Sequence, residues 1–369
     1  MSNDLEFIGM VQPRRQSEIH PASGPGIDPA YLRDSARAHD QAGFDRILIG
    51  WHSDGPDGFQ IATHAAAHTK RVGFLVAHRP GFQAPSTAAR AFATLDQLSG
   101  GRAAIHVISG GDDTDQARDG DFLDKDARYA RTDEYLSLVK KIWTAEAPVT
   151  HEGAHYRVTG ASPALRTVQR PRIPIYFGGA SEAAIEVAGK HADVYALWGE
   201  TQAQVREIIE RVRKATTWHR GPEAARAIRF SLSFRPILAG TEAEAWAKAE
   251  QIVERIQTIR GQAALGPAVR VPQNAGSQRL LAAAALGDRP EGRLYTAIAR
   301  VTGARGNTTA LVGTPEQVAE AFLDYHALGV TTFLIRGFDP LEDAVEYGRS
   351  LLPATRHLLA KRQCALAAD

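Results

Sequence analysis

Residues 84–111 read APSTAARAFATLDQLSGGRAAIHVISGG, and their order decides the fold. Pro85 and Ser86 open a helix whose apolar stripe is Ala89, Phe92, Ala93 and Leu95. Gly100-Gly101 stops it, because glycine enters the left-handed conformation without penalty. Ala103 to Ile108 then reads as a buried strand. It runs into Ser109-Gly110-Gly111, a small polar loop where backbone can approach a ligand closely. Helix, strand and loop in that sequence make one unit of an α/β fold.

Outward from this unit the same alternation repeats. Strands are predicted at Phe7–Val11, Arg46–Ile49, Val72–Ala77, Ala103–Ile108, Ile173–Phe177, Asp193–Leu197, Arg229–Phe234 and Thr332–Ile335. Helical patterns follow them at Pro29–Ala42, Gly58–Ala67, Pro85–Leu98, Ala127–Trp143, Glu182–His191, Gln202–Thr216, Glu242–Ile256 and Pro315–Ala327, and Leu341–Leu352 adds a last one. This order predicts an α/β chain built as a (β/α)8 TIM barrel, one domain over 1–369. Two insertions interrupt it. Residues 146–170 hold a small hairpin, HEGAHYRV. Residues 258–308 form a long, partly helical flap, with Gln278–Leu286 and Gly292–Val301 helical, because a structureless loop of that length is improbable.

Composition excludes several classes. The 369 residues carry a net charge of +1, so no strong field draws the chain to nucleic acid or an anionic membrane. The single cysteine, Cys364, permits no internal disulfide and fits a reducing cytoplasm. MSNDLEFIGMVQP has no basic segment ahead of a long apolar one, and no run is long enough to span a bilayer. A cytoplasmic location is the expectation.

Barrel active sites lie at the C-terminal ends of the strands. Those ends carry Met10 and Gln12; Trp51, His52 and Ser53; His78 and Arg79; His106, Ser109 and Gly110; Gly178, Gly179 and Ser181; Trp198 and Glu200; Arg235; and Arg336 with Phe338. No carboxylate cluster invites a hard divalent metal. Aromatic, cationic and glycine-rich ends suit a large planar anionic cofactor. In YFGGASEAA, residues 176–184, a strand ends, two glycines let the backbone come close, and a helix starts at Ser181, where free N–H groups favour a phosphate. An ordinary β–α turn capped by Ser181 reads the same way. His64 and His68 have metal-ligand spacing but no third ligand, so no metal is expected. His151 and His155 read as exposed hairpin residues.

The wording ARAFATLDQLSGGRAAIHVISGG resembles the signature of the luciferase-like flavin-dependent monooxygenases, and is most similar to their alkanesulfonate monooxygenase branch. The resemblance runs from Phe7 to about Pro353. It implies FMN with its phosphate at Gly178, Gly179 and Ser181. It also implies a flavin-site tyrosine, Tyr129, in the RYxxxxEY pattern Arg128–Tyr135, with Thr132 one turn on. His106 matches a position beside the flavin ring, and Met10 and Ala77 fall at flavin-facing strand ends. Relatives often carry a non-proline cis peptide at Ala77–His78. The implied activity is two-component: a separate NAD(P)H-dependent reductase supplies FMNH2, which reacts with O2 through a C4a-(hydro)peroxyflavin. The oxygen goes to a small organosulfur substrate, sulfonate or sulfone-like, with C–S cleavage and sulfite release where the sulfonate pattern holds.

The substrate side departs from that pattern. The usual cysteine after the second strand is Gly55. The usual Arg-x-His is Ser233-Phe234-Arg235, and the usual Tyr-Pro-His is Phe338-Asp339-Pro340. Trp198 and Arg305 are retained. The expected catalytic set is therefore Arg235, Arg305, Trp198 and His52; of Arg79, Arg235, Arg305 and Arg336 at least two are expected to be held by carboxylates, with Arg235 a free cation for an oxyanion. A homodimer or homotetramer is expected, with the helix Pro85–Leu98 serving either the interface or the core. The competing readings are an F420-dependent oxidoreductase and a non-catalytic flavin-binding subunit.

Overall fold

The computed structural model describes residues 5–262 and 272–366. Its strands are β1 (Glu6–Val11), β2 (Arg46–Ile49), β3 (Gly73–His78), β4 (Ala103–Ile108), β5 (Val149–Glu152), β6 (Arg157–Ala161), β7 (Ile175–Gly178), β8 (Val194–Trp198), β9 (Arg229–Leu238), β10 (Leu294–Tyr295), β11 (Ala310–Gly313) and β12 (Thr332–Ile335). The eight strands expected from the sequence are all present, and helices alternate with them. The fold is a (β/α)8 TIM barrel with extra strands and insertions. The chain divides into two compact units. One comprises Met1–Asp45, Leu197–Ile209 and Arg229–Asp369; the other comprises Arg46–Ala196 and Glu210–Ile228.

In the second unit β2, β3, β4, β7 and β8 pair in parallel, with Ile49 opposite Val76, Ala77 opposite His106 and Ile108 opposite Gly178. The helix Pro85–Ser99 starts with proline in its first turn and ends at Gly100, whose φ is 68°. Phe92 and Leu95 are buried, so this face of the helix packs on the core. Two charged residues of the opening stretch are structural. Asp96, with no exposed surface, accepts hydrogen bonds from the Val168 and Gln169 amides at 2.7 and 3.1 Å and from Gln169 Nε2 at 2.7 Å. Arg102 donates to the carbonyls of Ser99 and Val72 at 2.6 and 2.8 Å and lies 5.0 Å from the centre of the Phe74 ring. The hairpin β5–β6 forms as expected, antiparallel with Glu152 opposite Arg157.

In the first unit β12 pairs in parallel with β1 and with the first half of β9, Thr332 opposite Ser231 and Ile335 opposite Phe234. The second half of β9 pairs with β11, Ala310 opposite Arg235. The sequence reading missed β11, a four-residue strand following directly on the long insertion. Within that insertion, residues 263–271 lie outside the described part. The described part has helices at Ala275–Ala285 and Ala297–Thr302. The expected second helix is shorter than predicted, because Leu294 and Tyr295 pair with β11 instead.

Candidate active site

The turn after β7 is built as the sequence suggests. Ser181 is the N-cap of the helix Glu182–His191, its hydroxyl accepting from the Ala184 amide at 3.3 Å. Gly179 has φ 144°, and a Cβ there would lie 2.8 Å from the Ala184 Cβ and 2.9 Å from the Tyr129 hydroxyl. No side chain fits. Tyr195 donates its hydroxyl to the Gly179 carbonyl. Tyr129, on the helix Lys125–Thr144, brings its hydroxyl to this turn, and burial pushes its phenol above the usual range while Ser181 works against the rise. Tyr129, Gly179 and Ser181, some fifty residues apart in sequence, therefore meet at one half-buried turn. The glycine backbone, two hydroxyls and the N-terminus of a ten-residue helix are the groups a phosphate monoester needs.

Next to this turn, His106 on β4 faces Gly178. A Cβ on Gly178 would sit 3.4 Å from His106 Cε1. His106 Nδ1 is buried without a partner, and burial lowers its imidazole to about 4. It is neutral near pH 7, with one ring nitrogen left unpaired. Thr132 is buried, its hydroxyl 3.1 Å from that of Ser109 and 2.8 Å from the Arg128 carbonyl. It supports the β4 loop. His78 is fully buried, 2.6 Å from the Tyr135 hydroxyl, and burial lowers it to about 4 as well. In the RYxxxxEY pattern the glutamate serves the hairpin. Glu134 accepts from the His155 and Tyr156 amides, each at 2.9 Å, and bonds His151 at 3.0 Å. His151 is thus a hairpin tie rather than a free loop residue.

In the first unit the strand ends are strongly charged. Arg235 has no exposed surface. Its Nη1 and Nη2 each donate to Glu18 at 3.0 Å, and its Nε and Nη2 donate to the Arg336 and Gly337 carbonyls. Its guanidinium lies 3.8 Å from the centre of the Phe338 ring. Arg336 also donates to Glu18, at 2.7 Å, and its Nη1 lies 3.9 Å from the Met10 sulfur. Burial raises the Glu18 carboxyl, but the two guanidiniums outweigh it and hold it well below the carboxylate range. Burial and then the neighbouring Arg235 bring Arg336 down to about 10. On the same unit, Glu200 is buried and bonded to Arg279 of the insertion at 2.9 Å, and Arg279 also pairs with Glu207 at 3.0 Å. The start of the helix Ala275–Ala285 packs on Trp198, since a Cβ on Gly276 would lie 3.0 Å from the indole.

A family model described as luciferase-like monooxygenase matches residues 5–332. The chain belongs to the luciferase-like monooxygenase family. Several solved structures share its fold. A riboflavin lyase, crystallised with modified FMN and the substrate riboflavin, is 20% identical with a TM-score of 0.78, covering 96% of this chain and 92% of that one. DmoA from Hyphomicrobium sulfonivorans is 21% identical with a TM-score of 0.73, covering 96% and 88%. The F420-dependent tetrahydromethanopterin reductase from Methanopyrus kandleri is 17% identical with a TM-score of 0.68, covering 95% and 99%.

Against the expectations for a luciferase-like monooxygenase, the structure makes two corrections. Arg235 is not a free cation. The Glu18 carboxylate and two carbonyls take its donors, so it is a structural clamp between β9 and the segment after β12. Its partner was not visible because Glu18 lies 217 residues away, in an irregular stretch. The Ala77–His78 peptide is trans; the cis bond among the described residues is Arg170–Pro171. Arg79 and Arg336 are also held by carboxylates, so the expectation that at least two of the four rim arginines are held is met. Arg305 and His52 are exposed, and no ion pair involves Arg305 among the described residues. Ala77 is buried in β3, and Met10 is half-buried at the end of β1. His68 turns its Nδ1 to the His64 carbonyl at 2.8 Å.

Proposed function

We propose that this chain is an FMNH2-dependent monooxygenase, the oxygenating half of a two-component system, acting on a small organosulfur compound of the sulfone type. One observation carries the flavin half: Gly179, where no side chain fits, beneath the Tyr129 hydroxyl and beside the Ser181 cap. The residues fit FMN. Gly178, Gly179, Ser181 and Tyr129 would hold the phosphate, and the neutral His106, with its unpaired Nδ1, would face the ring. When bound, reduced flavin supplies the two electrons that let O2 place one oxygen atom on the substrate and release the other as water. The chain's own residues bind and orient it, and the buried histidines keep charge out of the site.

The substrate class follows from the charges. Glu18 and two carbonyls take the donors of Arg235, which has no exposed surface, so a sulfonate held by that arginine, the pattern of the alkanesulfonate branch, is no longer supported. A neutral sulfonyl compound needs acceptors met by donors and no dedicated counter-charge. The reductase delivers FMNH2 by diffusion, and the chain works as a homodimer or homotetramer.

Turnover with FMN, an NADH-dependent flavin reductase and air tests this reading, with dimethyl sulfone and methanesulfonate offered separately. Dimethyl sulfone should raise product formed per flavin oxidised. If neither compound yields oxygenated product or sulfite, and reduced F420 instead passes hydride without oxygen, the cofactor assignment fails.

A further inference from the structure

Buried polar atoms without partners are costly, and native proteins keep few of them. The ends of β2 and β3 hold four, His78 Nδ1 and three N–H donors. Arg79, the residue after β3, is 7% exposed, and its Nε and Nη1 have no partner. Trp51, two residues beyond β2, has a buried indole Nε1 with none. The two strands pair in parallel, Ile49 opposite Val76, so both residues leave the sheet side by side. The rest of the arrangement is firmly built. Asp115 takes Arg79 Nη2 on one oxygen and the Ser53 hydroxyl and amide on the other, which joins the two strand ends. Burial raises the Asp115 carboxyl, but these hydrogen bonds bring it below its ordinary value. Trp51 is itself fixed, its ring centre 6.0 Å from Phe82 and 6.3 Å from His78.

We propose that Arg79 and Trp51 form an acceptor-binding subsite that takes the oxygens of an uncharged sulfonyl group, and that they select the substrate. The three unpaired atoms of Arg79 and Trp51 are all N–H donors, so their missing partner is an acceptor. The ion pair with Asp115 already balances the Arg79 charge, so the acceptor brings no net charge of its own. The donors are shut off from water, and a ligand oxygen meets them undiminished once the two side chains open to admit it. This assignment rests on the proposed sulfone oxygenation and gives it a location.

The experiment is a titration of the full chain with FMN present, following the indole Nε1–H of Trp51 and the Nε–H of Arg79 by nitrogen-15 spectroscopy. Trp51→Phe and Arg79→Lys assign the two signals. Dimethyl sulfone should move both signals together to saturation, and each variant should weaken its binding about five- to tenfold. Dimethyl sulfide, which lacks the oxygens, should move neither. The proposal is overturned if dimethyl sulfone leaves both still, if methanesulfonate binds and the sulfone does not, or if FMN alone shifts both, which would give the donors to the cofactor. Should Arg79→Lys fail to fold, Trp51→Phe and the wild-type titration still decide. No turnover is involved, so a chain that binds the sulfone without oxygenating it would refute the proposed reaction and leave the subsite standing.

Discussion

Arg235 and Glu18 form a two-bond fork, Nη1 to Oε1 and Nη2 to Oε2, both 3.0 Å, with the arginine wholly enclosed. Breaking such a pair leaves a buried charge uncompensated, at a cost of about 3–5 kcal/mol. Here the cost is aggravated, because Arg336 shares the same carboxylate. Glu18→Gln should therefore lower the urea midpoint strongly. Replacing both partners, Glu18→Met with Arg235→Met, should cost less than that single change. If the single change costs nothing, Arg235 is not the clamp described.

The same carboxylate gives a pH dependence. Glu18 is held well below its ordinary value of 4.5 in the folded chain. Its contribution is fully present above the unfolded value and is lost as pH falls below it toward the folded value. Urea unfolding measured from about pH 5 downward should show wild-type stability falling. The Glu18→Gln variant should show a shallower fall.

The turn after β7 separates a cap from a binding site. Ser181→Ala should weaken reduced FMN about fivefold, the scale of one hydrogen bond. It should also lower stability modestly through the lost N-cap. Gly179→Val should weaken the flavin far more, since any Cβ there meets both Ala184 and Tyr129. Equilibrium titration with reduced FMN under anaerobic conditions checks both. A Gly179→Val chain that binds like wild type would place the phosphate elsewhere.

Burial holds the imidazoles of His78 and His106 at about 4, against 6.5 for the free group. Folded pKa values below the unfolded one mean stability that is full above 6.5 and lost as pH falls from there through 4. His78 has no exposed surface, and its share is on the order of 3 kcal/mol. The urea midpoint should drop between pH 7 and pH 5. His78→Phe should flatten that drop while lowering the pH 7 value, because the Tyr135 hydroxyl loses its partner at 2.6 Å.

Local signals carried the legible part of the sequence. A proline start, a Gly-Gly stop and a Ser-capped turn are each written within a few residues, so the helix Pro85–Ser99 and the Ser181 turn could be read directly. Ion pairing could not. Glu18 and Arg235 are joined across 217 positions, and Arg79 and Asp115 across 36, so nothing local marked one arginine as clamped and the other as partly unpaired. Asp96 and Arg102 look like surface residues of a helix end. They are inner ties, because the backbone around Gly100-Gly101 and Val168-Gln169 needs partners that only a long polar side chain reaches. The strand β11 escaped because four residues, ALVG, carry no period of their own.

Among the ties of the insertion, which include Arg289 to Glu250 and Arg293 to Glu242, the one with a buried carboxylate is made by Arg279. Arg279, on the helix Ala275–Ala285, bonds Glu200 and Glu207 together, and burial raises the Glu200 carboxyl while Arg279 works against that rise. Breaking the buried half of the latch removes the partner of an enclosed carboxylate. Arg279→Met should therefore speed hydrogen exchange across 275–285 and leave exchange in β3 and β4 unchanged. Arg305 lies beyond this helix, exposed and outside any ion pair among the described residues; we propose that it reaches the substrate. Arg305→Ala should lower product formed per flavin oxidised and leave reduced FMN affinity as it was. The two variants part on one measurement. Arg279→Met changes exchange and coupling together, because it loosens the whole segment. Arg305→Ala changes coupling alone. An Arg305→Ala chain with wild-type coupling would remove Arg305 from the reaction, and the insertion's role would then be cover without contact.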